Sequence, residues 1–186
     1  MGRHQKAQMN FCLVLLAFVV MPALSLYAAE IRPTSVYTTL SGDTCETVKE
    51  NKESGSSVRR CPGVGGFRLL VAEDDARVSV SVVTPDKREH PLDYWTVVTR
   101  AFSSLGKKAE WRVVRDKGKV TPIALIVRVD TQEQDNLSAA KKKSYLAVAK
   151  IGEEICVTSK IEPSRDANEQ ARQAADSAAK QPCLKP

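Results

Sequence analysis

Four cysteines, Cys45, Cys61, Cys156 and Cys183, constrain this chain more than any other feature. The fifth, Cys12, sits in an N-terminal segment that reads as a leader. Arg3 and Lys6 stand there without an acid, and FCLVLLAFVVMPALSLYAA follows as an apolar run ending in small residues. Basic, then apolar, then small is the layout of a secretory signal peptide. The run is ~19 residues long, near the minimum for a membrane span, but Pro22 interrupts it, so cleavage is expected over anchorage. Ala23-Leu24-Ser25 offers one exit and Ala28 or Ala29 a second. A lipid-bearing cysteine would follow the apolar run, whereas Cys12 opens it. The expected organisation is a cleaved signal peptide over 1–29 and a single disulfide-bonded domain over 30–186. No integral membrane segment is left, and the expected location is periplasmic or secreted.

In an exported chain an even set of cysteines reads as two disulfides, with three connectivities open. Cys45–Cys61 and Cys156–Cys183 are favoured, because each pair closes a modest loop at one end of the chain. Each is worth about 3 kcal/mol on loop-closure entropy. A zinc site lacks its ligands: there is no C-x-x-C, and His90 is the one histidine outside the leader. No metal or cofactor is expected. Losing Arg3 and Lys6 with the leader lowers the net charge from +6 to +4. That mild excess, with export, argues against a nucleic-acid partner.

The fold class expected is α+β: an antiparallel sheet of about five to seven strands, two disulfides, and one C-terminal helix packed on the sheet. RPTSVYTTL reads as extended, turning at Ser41-Gly42-Asp43, and KENKESGSSVRR as a polar surface loop. Val78, Val80 and Val82 alternate with Ser79 and Ser81, a strand with one buried face. LDYWTVVTRAFSSLG is ambiguous between strand and short helix. AEWRVVRD, KGK and TPIALIVRV make a hairpin whose second strand, apolar on both faces through Leu125 and Ile126, belongs in the middle of the sheet. Thr131 to Lys143 reads as a polar loop, and SYLAVAKI with EICVTSKIE as a second hairpin. The helix starts at Asp166, where Glu169 suggests a capping box. Ala171, Ala174, Ala175 and Ala178 give it a face of small residues. Arg172–Asp176 and Asp176–Lys180 are spaced for ion pairs on the solvent side.

The chemistry is mostly negative. CPGVGG at Cys61–Gly66 lacks the lysine and hydroxyl of a phosphate loop and leads into a strand rather than a helix. It reads as a tight turn beside a disulfide. Glu73, Asp74 and Asp75 read as a solvated turn with Arg77 nearby, and His90 as an exposed histidine in a charged loop. No catalytic residue is assigned. Trp111 is expected in the core, with Glu110 and Arg112 pairing outside. Tyr94 and Trp95 are candidates for an exposed aromatic anchor. Lys141, Lys142 and Lys143, with Lys107 and Lys108, are candidates for a basic patch that meets anionic lipid or polysaccharide.

Taken together, RRCPGVGGF, AEWR after SSLGKK, and DANEQARQAAD before the final cysteine resemble a group of uncharacterised small exported proteins of alphaproteobacteria. The resemblance spans most of the domain. It implies export to the periplasm and a single disulfide-bonded domain, and carries no activity. The expectation is a non-enzymatic module that binds an envelope protein or polysaccharide. The alternative is a carboxylate-based hydrolase of envelope glycans working through Glu73, Asp74 or Asp75.

Overall fold

The computed structural model describes residues 1–2, 32–133 and 141–185. All but the first two residues of the expected leader lie outside that set. No helix among the described residues is long and apolar enough to cross a membrane. The compact unit spans Ile31–Pro186. It holds β1 (Thr34–Thr39), β2 (Glu46–Asn51), β3 (Ser56–Pro62), β4 (Arg68–Asp74), β5 (Arg77–Val83) and β6 (Glu89–Pro91). A short helix α1 (Tyr94–Val97) follows, then β7 (Phe102–Asp116), β8 (Lys119–Glu133), β9 (Lys141–Lys150) and β10 (Cys156–Ile161). Helix α2 (Ala167–Asp176) and a 3-10 turn (Ala178–Lys180) complete it.

The strands form two antiparallel five-stranded sheets, ordered β1-β7-β8-β9-β10 and β2-β3-β4-β5-β6. This corrects the expectation of one sheet with five to seven strands. The extra strands come from segments too polar to alternate. KENKESGSSVRR is the β2–β3 hairpin, with every β2 residue exposed. The charged loop around His90 contributes β6, which pairs His90 with Val82 and leaves the histidine half-buried. Of the stretch from Thr131 to Lys143, read as loop, Thr131–Glu133 end β8 and Lys141–Lys143 start β9, and 134–140 lie outside the described residues. LDYWTVVTRAFSSLG is both things, helix α1 and the beginning of β7.

Strand β8 lies at the centre of the first sheet, as its two apolar faces require. Leu125, Val127 and Val129 join Trp111 and Val113 of β7 in the main core, against Leu69, Val71, Val80 and Val82 of the second sheet. Ala124 and Ile126 turn the other way, with Leu146 and Val148, to meet Ala167, Ala171, Ala175 and Ala178. The molecule is thus sheet on sheet, with α2 on the far face of the first sheet. Trp111 is 0 % exposed, and its indole N–H donates to Thr38 Oγ1 at 2.9 Å. Ser79, expected outside, is buried because α1 covers it and the Tyr94 N–H donates to its hydroxyl at 3.1 Å.

Both disulfides form, Cys45 with Cys61 and Cys156 with Cys183. The first ties the β1–β2 turn to β3. Beyond it, Gly65 and Gly66 have φ of 63° and 88°, so CPGVGG is a turn that needs the left-handed region. A Cβ on Gly65 would stand 3.0 Å from the Val120 carbonyl oxygen. The second disulfide anchors the tail beside β10, where the Leu184 N–H donates to the Val157 carbonyl at 2.8 Å.

The charges around α2 are arranged differently from expectation. Arg112, whose side chain is 9 % exposed, donates from Nε and Nη2 to the two Asp176 carboxylate oxygens at 2.7 and 2.8 Å. Its other contacts are Ser35 Oγ at 2.6 Å and the Pro33 carbonyl at 2.9 Å. Arg172 Nε donates to Glu110 Oε1 at 2.7 Å, and the Ser35 hydroxyl donates to the same oxygen at 2.5 Å. Glu110 and Arg112 therefore do not pair with each other, and Arg172 and Asp176 do not pair along the solvent face. Each reaches across the helix–sheet gap, because the small alanine face brings α2 close to the sheet. The capping box is also absent: Asp166 accepts from Ser164 Oγ and Gln170 Nε2, both at 2.9 Å, and makes no side-chain cap.

Three outcomes follow from this packing. Asp176→Ala strands a nearly buried guanidinium and lowers urea-unfolding stability by about 2–3 kcal/mol; Asp176 is itself partly exposed, so the cost falls short of the ~3–5 kcal/mol of a fully buried pair. Burial pushes the Glu110 carboxyl up, but hydrogen bonds from Arg172 and Ser35 outweigh it and hold the folded value below the usual 4.5. Its stabilisation is present above 4.5 and is lost as pH falls through the lower folded value. Glu110→Gln is therefore less stable than wild type at pH 7, and the two converge in acid melts below that window. In the β4–β5 turn Asp75 and Ala76 sit at φ 49° and 53°. An alanine there costs about 1–2 kcal/mol, so Ala76→Gly raises stability by about 1 kcal/mol after its larger unfolded-state entropy is offset.

Candidate functional site

Strand length creates a cleft. Fifteen residues of β8 extend about 50 Å at ~3.3 Å per residue, whereas the ten residues of α2 cover about 15 Å at 1.5 Å each. The helix shields Ala124 and Ile126 and ends before the sheet does. Beyond its N-terminal end the same face of the sheet stays open.

Register places two cross-strand rows there. Ser104, Asp130 and Ser144 form one, and Phe102, Gln132 and Lys142 the next. These six line a cleft of about 970 Å³, with Glu162 and Pro163 of the β10–α2 connection at one side and Ala76 of the β4–β5 turn at another. Phe102 is 47 % exposed, one of the few large apolar side chains at the surface. Ser103, Thr131 and Lys143 also line it. Thr131 is 2 % exposed, and its hydroxyl has no hydrogen-bond partner among the described residues. Arg128 braces the floor, donating from Nη1 to Ser144 Oγ at 2.8 Å and from Nη2 to Asn168 Oδ1 of α2 at 3.1 Å. The Ser144 hydroxyl thus accepts from a cation.

The structure divides the residues singled out from sequence. Lys142 and Lys143 belong to the cleft, and the backbone of Lys141 pairs with Glu133 at the start of β9. Lys107 and Lys108 lie in the irregular part of β7 between Leu105 and Ala109, several positions from the row that holds Lys142, so the five lysines do not make one patch. Tyr94 is not an exposed anchor. It is 1 % exposed, packs in the main core, and burial pushes its phenol well above the ordinary range. Trp95 is half-buried rather than exposed and lines a second, shallow pocket of about 180 Å³ with Lys49, Val58, Ala72, Glu73 and Asp74. Asp75 turns away to Arg77.

Gln132 was missed because the stretch from Thr131 reads as loop, and Phe102 and Ser104 because LDYWTVVTRAFSSLG is ambiguous between strand and short helix. The signal was present: the alternation Val127-Arg128-Val129-Asp130-Thr131-Gln132 continues the strand past its apolar part. Among the described residues one group has metal-ligand chemistry close together, Glu154 with Cys156 and Cys183, and both sulfurs are consumed by the disulfide. No protein-family model, curated protein or solved structure matches this chain.

Proposed function

We propose that the protein is an exported, periplasmic binding module for an envelope component, engaged through the cleft beyond α2. One observation carries this reading. The cleft combines an exposed aromatic ring with hydroxyl, amide and charged groups on a platform of paired strands, so the groups are held in fixed relation. The two disulfides fit an oxidising compartment, and the resemblance to small exported alphaproteobacterial proteins agrees with it.

The hydrolase reading draws on a different place, where Glu73 and Asp74 share the shallow pocket with Trp95. Its size disfavours it, since sites that engulf a small ligand run from about 300 Å³ upward. The test is retention from solubilised cell envelope with the oxidised protein as bait. Wild type is expected to retain a component that Phe102→Ala and Gln132→Ala lose, while Glu73→Gln keeps it. Turnover of envelope glycan that disappears in Glu73→Gln or Asp74→Asn would instead establish the hydrolase.

A further inference from the structure

The geometry points to a neutral, hydroxyl-rich oligosaccharide as the ligand of the cleft. This deepens the binding-module reading and rests on it. Charge decides the first step. Among the described residues of the lining, two lysines, Lys142 and Lys143, balance two carboxylates, Asp130 and Glu162. An anionic lipid or acidic polysaccharide would meet as many repelling groups as attracting ones, and an excess of +4 spread over the domain does not change that local balance.

The second step is what the remaining groups recognise. Gln132 offers an acceptor and two donors, Asp130 two acceptor oxygens, and Ser104 and Ser144 one hydroxyl each. They sit in two cross-strand rows, neighbours within a row being ~4.8 Å apart and the rows themselves about 6.6 Å apart. Such a grid of donors and acceptors suits a ligand that itself carries a hydroxyl at nearly every carbon. It leaves unpaired groups against an apolar ligand, which costs binding. Phe102 supplies the complementary surface: the C–H face of a sugar ring packs on the electron-rich face of an aromatic ring. At about 970 Å³ the cleft reaches the upper end of small-ligand sites, which run to about 1,000 Å³. A short oligosaccharide is a better match than one sugar.

The experiment is calorimetric titration of the oxidised protein with neutral β-1,4-linked tetrasaccharides of glucose and of N-acetylglucosamine, with tetragalacturonate, and with phosphatidylglycerol vesicles. A neutral tetrasaccharide is expected to bind with an affinity unchanged between low and high salt. Phe102→Ala should weaken it at least tenfold and Gln132→Ala several-fold, with melting temperatures unaltered because both side chains are at the surface. Binding of tetragalacturonate or vesicles alone, or an affinity that collapses with salt, overturns the neutral-sugar assignment. So does retention of an envelope protein through Phe102 without sugar binding, although that result leaves the binding-module reading standing. Neither sugar binding nor any retained component overturns both.

Discussion

Strand β8 is apolar on both faces, and everything else in the architecture answers that constraint. Leu125, Val127 and Val129 need one cover, Ala124 and Ile126 another. The second sheet supplies the first with its valine and leucine face, and α2 supplies the second. The covers differ in kind. The sheet contributes large side chains that interlock around Trp111. The helix contributes alanines, which bury about 0.8 kcal/mol per carbon and so give only about 3 kcal/mol together.

That weakness explains the polar attachments of the C-terminal segment. A disulfide closing a loop with a separation of 27 residues is worth about 3.5 kcal/mol on chain entropy, comparable to the whole alanine face. Arg112–Asp176 and Glu110–Arg172 add directional links from sheet to helix, joined through the Ser35 hydroxyl. Lys150 completes the set from β9, donating to the Gln181 carbonyl at 3.2 Å and pairing with Glu154 at 2.7 Å. Small residues permit the close approach, and the charges exploit it. The open cleft is the counterpart of the same economy: a ten-residue helix cannot cover a fifteen-residue strand, and where it stops the sheet face turns polar.

Much of the framework was legible in the residues. The disulfide pairing, the valine strand, the central position of β8, the core placement of Trp111 and the alanine face all follow from local pattern. Charge partners did not. Glu110 and Arg112 alternate with Trp111 and so share a face, but nothing local says that Asp176 and Arg172, more than sixty positions away, would meet them. The candidate site was legible in two residues, Lys142 and Lys143. Tyr94 and Trp95 looked like surface aromatics because their segment is short and follows a charged loop, yet α1 folds them onto β5 and its neighbours. Phe102 escaped notice because one aromatic before SSLG has no periodic context.

By itself the sequence determined the apolar faces of β5 and β8, the small-residue face of α2 and which cysteines close short loops, since these depend on spacing of a few to a few tens of residues. Tertiary structure decided the number of sheets, because polar hairpins such as β2–β3 pair through backbone hydrogen bonds that side-chain alternation does not announce. It decided the partners of the buried charges. And it decided the cleft, because an uncovered face arises from the difference in length between two elements packed together, a quantity that neither element carries alone.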